Sequence, residues 1–180
     1  PLTYNQIDDE QNVVEGLVST RIVHGGLTFW GGGIFWSSPR NLSRWVDGIA
    51  ARVYSHATVE GLARHATVPV VNGLSDFEHP CQALADYFTL WERGVDLASV
   101  RLAWIGDGNN VCHSWMNAAR QFGFKMVIAV PKGYEPDASL LKACAAQVTL
   151  TNDPKEAARG ADIVVTDTCA SMGQESEKTE

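Results

Sequence analysis

The stretch Val68–Arg93, VPVVNGLSDFEHPCQALADYFTLWER, determines how the rest of the chain is organised. It opens on an apolar run, Val68–Val71, that is typical of a buried strand, and a turn-rich segment, Asn72–Asp76, follows. An amphipathic helix is then predicted to begin near His79, because apolar residues recur at the spacings of three and four that face a core. The residues in this predicted core-facing stripe are Leu84, Tyr87, Phe88 and Trp91.

The start of this helix has the features of an anion-binding site. Pro80 suits the first helical turn, because its missing N–H would have no partner within the helix. His79 and Gln82 would therefore lie where several backbone N–H groups point outward and where the helix dipole is positive. A capped helix end that carries one surface histidine is the alternative interpretation of the same residues.

Length and charge limit the classes of protein to which the chain can belong. Its 180 residues suffice for one substantial core, or for a small domain plus part of another. The net charge of −7 argues against nucleic acid or an acidic membrane as the main partner. A small anion can still be bound locally by helix ends and single arginines.

Further classes are excluded by the absence of certain sequence patterns. The four cysteines form no Cys-x-x-Cys pair, so neither a zinc site nor a disulfide framework is predicted. The first residues are polar and acidic, without the apolar or cationic pattern of a targeting sequence. No apolar run has the length that a membrane-spanning helix needs. A cytoplasmic location, or the mitochondrial matrix in a eukaryote, fits these features.

The first part of the chain predicts one strand–helix–strand unit. A helix at Asn41–Val46, a strand at Gly48–Tyr54 and a helix at Ala57–His65 lead into the strand at Val68. Because this order brings two strands side by side in the same direction, a parallel sheet is predicted. Before it, Val13–Val23 is compatible with a short strand or a helix, and the glycine-rich His24–Ser38 predicts a loop or irregular strand.

A second unit is predicted after a turn at residues 94–99, because strands and helices alternate from there on. In order, these are a strand at Val100–Ile105, a helix at Val111–Phe122, a strand at Lys125–Val130, a helix at Asp137–Ala146, a strand at Gln147–Thr151, a helix at Asp153–Arg159 and a strand at Asp162–Thr166. The alternation predicts an α/β fold with two lobes built on doubly wound parallel sheets. Ligands of such sheets bind at the carboxyl ends of the strands.

Two polar residues near predicted strands are candidates for ligand binding. Arg52 lies in an apolar strand, where a charge is costly unless it faces a cleft or is paired, for example with Asp47. Gly106–Asn110 half matches a dinucleotide-binding turn, but Val111 takes the third glycine position and no acid ends the next strand, so NAD is not expected. Asn110 can instead present its amide to a small zwitterion, or cap the helix.

A third candidate is Asp167, which directly follows the last predicted strand. A carboxylate at this edge of a sheet can hold an ammonium group, and the alternative is an acid bonded to its own loop. Ser171 and Met172 lie in the loop that follows, with Gly173 as a hinge. The residues after the strand are therefore compatible with a flexible loop beside either a cation-binding carboxylate or an acid bonded to its own loop.

Four segments, in this order along the chain, resemble the transcarbamoylases, and most closely the ornithine carbamoyltransferase branch. They are Leu42–Arg52 (LSRWVDGIAAR), Asn72–Asp86 (NGLSDFEHPCQALAD), Trp104–Asn110 (WIGDGNN) and Asp167–Glu175 (DTCASMGQE). The Ser-Met-Gly element of the last segment separates this branch from the aspartate carbamoyltransferases. The resemblance covers about Pro39 to Glu180 and carries its motif blocks in family order.

The resemblance implies a reaction and a set of site residues. The carbamoyl group would pass from carbamoyl phosphate to the δ-amine of L-ornithine, giving L-citrulline and phosphate, as in arginine biosynthesis. Carbamoyl phosphate would be bound, and the reacting carbonyl polarised, by Arg52, His79 and Gln82. Ornithine would be bound by Asn110, Asp167, Ser171 and Met172. No metal or organic cofactor, no nucleic acid and no membrane is implied, and a homotrimer is expected.

The chain also departs from the family pattern. Only Ser19-Thr20-Arg21, followed by Ile22-Val23, corresponds to the Ser-Thr-Arg-Thr-Arg motif that binds phosphate in the family, and it is a candidate replacement. Cys169 stands where the family usually has tryptophan, and no His-Cys-Leu-Pro segment occurs. We therefore expect a truncated or rearranged chain, in which residues 1–78 form a partial carbamoyl phosphate lobe, 79–99 an interdomain helix and turn, and 100–180 an ornithine lobe.

Two rival functions follow from these departures and from the resemblance itself. The damaged Ser-Thr-Arg region is compatible with a catalytically inactive relative that acts as a binding or regulatory subunit. A transcarbamoylase for a related amine or an acylated ornithine is the other rival. The Ser-Met-Gly element argues against the second, because it belongs to the ornithine-specific branch.

Overall fold

The computed structural model describes residues 38–167 and four strands before them, at residues 2–7, 13–18, 22–23 and 26–30. The chain divides into two compact units, Pro1–Phe77 and Glu78–Glu180. Each unit is built on its own four-stranded sheet, and the first unit has a separate two-stranded sheet as well. The prediction of an α/β chain with parallel sheets is confirmed.

The first unit begins with strands and continues as alternating helices and strands. Its elements are β1 (Leu2–Ile7), β2 (Val13–Val18), β3 (Ile22–Val23), β4 (Gly26–Trp30), α1 (Ser38–Leu42), β5 (Ile49–Arg52), α2 (His56–His65) and β6 (Val70–Leu74). Strands β1 and β2 pair antiparallel, and the larger sheet has the order β3-β4-β5-β6 with β4, β5 and β6 parallel. The strand interpretation of Val13–Val23 is therefore correct for most of that segment.

The sequence analysis predicted that the strand β6 ends at Val71, whereas it ends at Leu74. Asn72 to Leu74, predicted as the start of a turn, continue the strand, because Leu74 pairs with Arg52 and accepts a hydrogen bond from the Val53 N–H at 2.9 Å. Gly73 permits this close pairing, since a Cβ atom there would lie 3.2 Å from the carbonyl oxygen of Ala51. The turn therefore begins only at Ser75, beyond the carboxyl end of the sheet.

The second unit is a four-stranded parallel sheet with its connecting helices. Its elements are α3 (Pro80–Glu92), β7 (Arg101–Ile105), α4 (Asn110–Phe122), β8 (Lys125–Ala129), α5 (Ala138–Ala143), β9 (Val148–Thr151), α6 (Pro154–Ala158) and β10 (Ile163–Val165). The strand order is β10-β7-β8-β9, and every neighbouring pair is parallel. Each of these elements lies within a few residues of its predicted position.

Large side chains from β7, α4 and β8 form the core of the second unit. Trp104, Trp115, Met116 and Met126 are at most 1% exposed, and Phe124 packs beside Trp115. Consecutive residues of β7 are buried, as in a parallel strand that is covered on both faces. This rigid centre fixes the carboxyl end of β7, from which the β7–α4 turn leaves.

The predicted core-facing stripe of α3 is largely wrong. Tyr87 is buried, and its ring meets the ring of Trp115 edge-on with centroids 4.4 Å apart. Leu84, Phe88 and Trp91 are instead 66%, 54% and 65% exposed. The helix packs through Ala83 and Tyr87, and the three exposed residues form a second row about 100° further round the helix. Spacing grouped Tyr87 with these three residues, whereas the structure places only Tyr87 on the buried face.

Candidate functional site

The turn between β7 and α4 is held in a tight conformation by two glycines. Gly106 has a φ of +145°, which favours glycine. Gly108 donates its N–H to the carbonyl of Tyr134 at 2.9 Å, and a Cβ atom on Gly108 would lie 2.3 Å from the nitrogen of Pro136. The loop that follows β8 therefore lies directly on the turn and fixes the place where α4 begins.

Asn109 is the N-cap of α4. Its Oδ1 accepts hydrogen bonds from the N–H groups of Val111 and Cys112, at 3.0 and 3.1 Å. Because only oxygen can accept these two bonds, the side-chain amide has one possible orientation, with Nδ2 facing away from the helix. Nδ2 then donates to Oδ2 of Asp167 at 2.9 Å.

The sheet topology explains why these two residues meet. Strand β10 is the parallel neighbour of β7, and Val165 pairs with Trp104, so the two carboxyl ends lie side by side. Asn109 follows the first strand and Asp167 follows the second. The half-buried Asp167 therefore lies at the carboxyl edge of the sheet, where ligands of parallel sheets bind.

Asn110, the predicted ornithine-binding amide, is the first residue of α4 and is half-buried. Its Oδ1 accepts from the N–H of Val111 at 3.0 Å, and its backbone carbonyl accepts from the hydroxyl of Ser114 at 3.1 Å. The structure thus places Asn110 and Asp167 at adjoining strand ends, but the direct contact with Asp167 is made by Asn109. Sequence reasoning missed Asn109, although the Asn-Asn pair was visible.

His79 is the N-cap of α3 and is tied to the same end of α4. Its backbone N–H donates to the hydroxyl of Ser114 at 2.8 Å, and that hydroxyl in turn donates to the Asn110 carbonyl. Nearby, the amide of Asn117 donates to the carboxylate of Glu78 at 2.7 Å. The structure therefore brings His79 and Asn110 together through the buried Ser114. The sequence analysis did not identify Ser114, although it lies one turn after Asn110.

Gln82 lies on the exposed surface of α3. Its Nε2 donates to Oδ1 of Asp86, one turn along the helix, at 2.9 Å. Exposed pairs of this spacing contribute only about 0.2–0.5 kcal/mol, so the amide can turn to another partner at little cost. Gln82 therefore keeps its predicted place in the first turn of the helix, with its amide engaged along the helix surface.

Arg52 is the last residue of β5 and is half-buried. It lies at the carboxyl end of the parallel strands of the first unit, and the pairing with β6 is irregular between Ala51 and Arg52. This is the end of a parallel sheet that faces ligands. The position agrees with a ligand-binding arginine, and the role itself stays a prediction.

A group that sequence reasoning missed follows the ends of β5 and β6. The N–H of His56 donates to Oδ1 of Asp76 at 2.8 Å, and its Nδ1 lies 2.8 Å from the hydroxyl of the fully buried Ser75. An open pocket of about 470 Å³ adjoins this group. Its lining residues are Ser55, His56, Ala57, Asp76 and Phe77. The sequence signal that could have identified this group is the Ser-His pair after β5 together with the Ser-Asp pair after β6.

The thiol nearest the β7–α4 turn is unsuited to nucleophilic chemistry. Cys112 is fully buried in the first turn of α4, and burial, followed by the carboxylate of Asp107, raises the pKa of this thiol well above its ordinary value. A thiol that stays protonated is a poor nucleophile.

Several predicted site residues lie outside the residues that the structure describes. They are Ser19, Thr20, Arg21, Ser171 and Met172, and Cys169 lies outside as well. Their roles stay predictions. Within the described ranges, no His, Cys, Asp and Glu side chains form a group of three that could hold a metal ion. In the same part of the chain, no helix has both the length and the apolar character needed to cross a membrane.

Two family models match the chain, one on each side of residues 93–97. Residues 37–92 match the carbamoyl-P binding domain of aspartate/ornithine carbamoyltransferase, and residues 98–180 match the Asp/Orn binding domain of the same proteins. The chain belongs to the aspartate/ornithine carbamoyltransferase family. The Arg52 and His79 segments thus fall in the first matched domain, and Asn109, Asn110 and Asp167 fall in the second.

Curated members of the aspartate/ornithine carbamoyltransferase family are similar over most of this chain. The ornithine carbamoyltransferase of Pyrococcus horikoshii is 51% identical over 148 residues, which are 78% of this chain and 47% of the relative. That of Thermus thermophilus is 58% identical over 139 residues, which are 77% of this chain and 46% of the relative. The chain spans about half the length of the curated relatives it matches.

Solved structures of this family show the same fold. The crystal structure of the Thermus thermophilus enzyme has a TM-score of 0.69 and 56% identity, over 74% of this chain and 46% of that chain. The anabolic ornithine carbamoyltransferase from Campylobacter jejuni has a TM-score of 0.76 and 36% identity, over 82% and 51% of the two chains. The predicted transcarbamoylase-like fold is confirmed.

Proposed function

We propose that this chain binds L-ornithine and carbamoyl phosphate and transfers the carbamoyl group to the δ-amine of ornithine, giving L-citrulline and phosphate. The observation that carries the proposal is the polar cluster at the carboxyl edge of the second sheet. There, Asp167 is held beside the start of α4, in the part of the chain that matches an Asp/Orn binding domain. Relatives about 50% identical are named ornithine carbamoyltransferases.

Ornithine suits the chemistry of this cluster, because it carries both ammonium and carboxylate groups. The carboxylate of Asp167 would accept hydrogen bonds from an ammonium group, and such charge-assisted bonds are about twice as strong as neutral ones. The first turn of α4 lies at the positive end of the helix dipole and therefore favours a negatively charged group. Together with the amide of Asn110, it suits the ornithine carboxylate. Ser171 and Met172 are assigned to the loop that closes over the amino acid.

Carbamoyl phosphate is assigned to Arg52, His79 and Gln82, with Ser19, Thr20 and Arg21 as candidate additional phosphate ligands. In the reaction, the lone pair of the neutral δ-amine forms the new N–C bond, and the C–O bond to phosphate breaks with its electron pair leaving on phosphate. The amine loses one proton to phosphate or solvent. The three donors would stabilise the carbonyl oxygen as charge develops on it, and loss of one such donor typically costs about 3 kcal/mol.

The proposal is tested by measuring citrulline formation from carbamoyl phosphate and ornithine, together with calorimetric titration of each substrate. Arg52→Ala should abolish carbamoyl phosphate binding. Arg44→Ala, which removes an exposed arginine of the same unit, should leave it unchanged. Equal losses in the two variants would contradict the role of Arg52. Another amine preferred over ornithine would favour the related-amine alternative.

A catalytically inactive relative that acts as a binding or regulatory subunit is the second candidate. The sequence feature that favours it is Ser19-Thr20-Arg21, which is followed by Ile22-Val23 where the family's phosphate-binding motif continues with Thr-Arg. This function predicts that ornithine or carbamoyl phosphate binds while no citrulline forms. Citrulline formation above the uncatalysed background would exclude it. The resemblance implies a homotrimer, and light scattering of the purified protein tests it. A cytoplasmic or mitochondrial location is proposed because the widely spaced cysteines suit a reducing compartment.

A further inference from the structure

We infer that Asn109 is a positioning residue for ornithine, which sets the orientation of the Asp167 carboxylate without contacting the amino acid itself. This inference rests on the proposed function and deepens it, because it assigns a role in ornithine binding to a residue for which the sequence analysis proposed none. Its basis is the bond from Nδ2 of Asn109 to Oδ2 of Asp167 at 2.9 Å.

The geometry makes Asn109 a fixed rather than an adaptable donor. Its Oδ1 is occupied by the N–H groups of Val111 and Cys112, which belong to the buried first turn of α4. An amide whose oxygen is held in this way cannot flip, so Nδ2 always points toward Asp167. The carboxylate is thereby attached to the buried first turn of α4.

This attachment matters because Asp167 has little local support of its own. It is the second residue after β10, and that strand consists of only Ile163–Val165 at the edge of the sheet. The bond from Asn109 engages Oδ2, so Oδ1 is the oxygen on which a ligand ammonium would place its strongest hydrogen bond. A carboxylate that is oriented before the ligand arrives binds more tightly, because less freedom is lost on binding.

The substitution Asn109→Asp separates positioning from helix capping. Aspartate is as good an N-cap as asparagine, so the bonds to Val111 and Cys112 can persist. The donor to Asp167 is lost, however, and a second negative charge replaces it. Asn109→Ser is a further variant that keeps a capping oxygen, adds no charge and is too short to replace Nδ2 as the donor to Asp167.

The experiment is calorimetric titration of the purified chain and its variants with L-ornithine and, separately, with carbamoyl phosphate. Both Asn109 variants should weaken ornithine binding by about ten- to hundredfold, the range expected for a hydrogen bond to a charged group. Carbamoyl phosphate affinity and the thermal unfolding midpoint should stay near those of the native chain. In the citrulline assay, the KM for ornithine should rise more than kcat falls.

Two controls distinguish positioning from a general structural effect. Asn152→Asp makes the same chemical change beyond β9, at the opposite edge of the sheet, where the amide donates to the Val130 carbonyl at 2.8 Å. It should leave ornithine affinity unchanged. The double variant Asn109→Asp/Asp167→Asn restores an amide–carboxylate pair, so its unfolding midpoint should also stay near that of the native chain, but ornithine binding should not be recovered, because the carboxylate is displaced.

Each outcome decides the inference. Native ornithine affinity in Asn109→Asp and Asn109→Ser would overturn it while the proposed function stands. An equal loss of affinity for both substrates, together with a lower unfolding midpoint, would also overturn it, since that pattern reports a structural role only. If the native chain neither binds ornithine nor forms citrulline, the proposed function fails and the inference falls with it.

Discussion

At the scale of single residues, the candidate site depends on hydrogen bonds that cannot be predicted from sequence patterns. The pattern GDGNN drew attention to Asn110, because the first helical residue is where a ligand-binding amide is expected. The bond between Asn109 and Asp167 requires β10 to lie beside β7, which only the sheet order reveals. The position of Asp167 just beyond a strand was predictable from the sequence, whereas its hydrogen-bond partner was not.

Tyr87 has a buried hydroxyl for which none of the described residues provides a hydrogen-bond partner. Burial, followed by the carboxylate of Asp86, raises the pKa of Tyr87 far above its ordinary value. An unsatisfied buried hydroxyl costs about 1–3 kcal/mol, so Tyr87→Phe should leave the free energy of unfolding unchanged or raise it. Urea titration at neutral pH measures this free energy.

The same substitution has a consequence at alkaline pH. The raised pKa means that the stability associated with Tyr87 is fully present below about pH 10, the ordinary tyrosine value, and is lost as the pH rises further. Tyr87→Phe should therefore lose less stability above pH 10 than the native chain. Tyr87→Ala is the control for packing, and it should cost about 3–5 kcal/mol through the cavity it leaves. A destabilised phenylalanine variant would show that the hydroxyl has a partner.

The cysteines are predicted to differ sharply in reactivity. Cys81 is exposed in the first turn of α3, whereas Cys112 and Cys144 are fully buried, and burial raises the pKa of both buried thiols. Brief alkylation of the folded protein should therefore modify Cys81 and spare the other two, as peptide mass spectrometry would show. Unfolding in urea should expose all three, and labelling of Cys112 without urea would contradict its burial.

At the scale of elements, the close approach between the β7–α4 turn and the loop after β8 is predicted to be indispensable. A Cβ atom on Gly108 would meet Pro136 at 2.3 Å and the Tyr134 carbonyl oxygen at 2.7 Å, and backbone atoms cannot easily yield. Gly108→Ala should therefore cost about 1–3 kcal/mol in the free energy of unfolding, the usual range for overpacking. It should also weaken ornithine binding, because the start of α4 must move.

Gly48→Ala is the matched control for this substitution. A Cβ atom there would lie 3.6 Å from the Pro69 carbonyl oxygen, which is an ordinary contact. Urea unfolding and ornithine titration of the two alanine variants should therefore separate a clash from a general effect of replacing glycine. Equal stability of the two variants would show that the loop can move away from Gly108 at no cost.

The start of α5 is predicted to weaken in acid. The hydroxyl of Ser139, followed by the N–H groups of Leu140 and Ser139 and by His113, holds the pKa of Asp137 below its ordinary range. A lowered carboxyl pKa contributes stability that is present above about pH 4 and is lost as the pH falls further. Asp137→Ala should therefore show a smaller loss of unfolding free energy below pH 4 than the native chain. Identical pH profiles would contradict this cap.

Elements were predictable from the sequence to different degrees. Every element of the second unit could be predicted from the alternation of strands and helices, because apolar runs and glycine or proline breaks are local signals. The buried face of α3 was not predictable, since Leu84 and Tyr87 both fit the helical spacing but only Tyr87 meets the aromatic core. Burial depends on which neighbours the fold supplies, and periodicity does not carry that information.

At the scale of the whole molecule, the second unit is predicted to fold without the first. Of the largest fully buried side chains described, all but Ile49 and Pro39 belong to it, and its sheet shares no strand with the first unit. A fragment of residues 78–180 should therefore show cooperative urea unfolding and α/β circular dichroism. A fragment without a cooperative transition would contradict this independence.

The architecture was predictable at this scale because alternating strands and helices leave few topologies open. Both the parallel sheets and the resemblance to the transcarbamoylases came from residues after Pro39. The first strands were less predictable, because β1 to β4 belong partly to antiparallel pairs and glycines interrupt the segment that contains β4. Such pairing depends on a partner strand rather than on the segment itself.

Strand β10 completes one edge of the second sheet by pairing with β7, about sixty residues earlier in the chain. Contacts between such distant residues form slowly, because a long loop must close before they contribute any stability. During synthesis on the ribosome, Asp167 also emerges after every other described element of its sheet. In refolding, the proposed binding of ornithine is therefore expected to return last, after helix content and the fluorescence of the buried tryptophans.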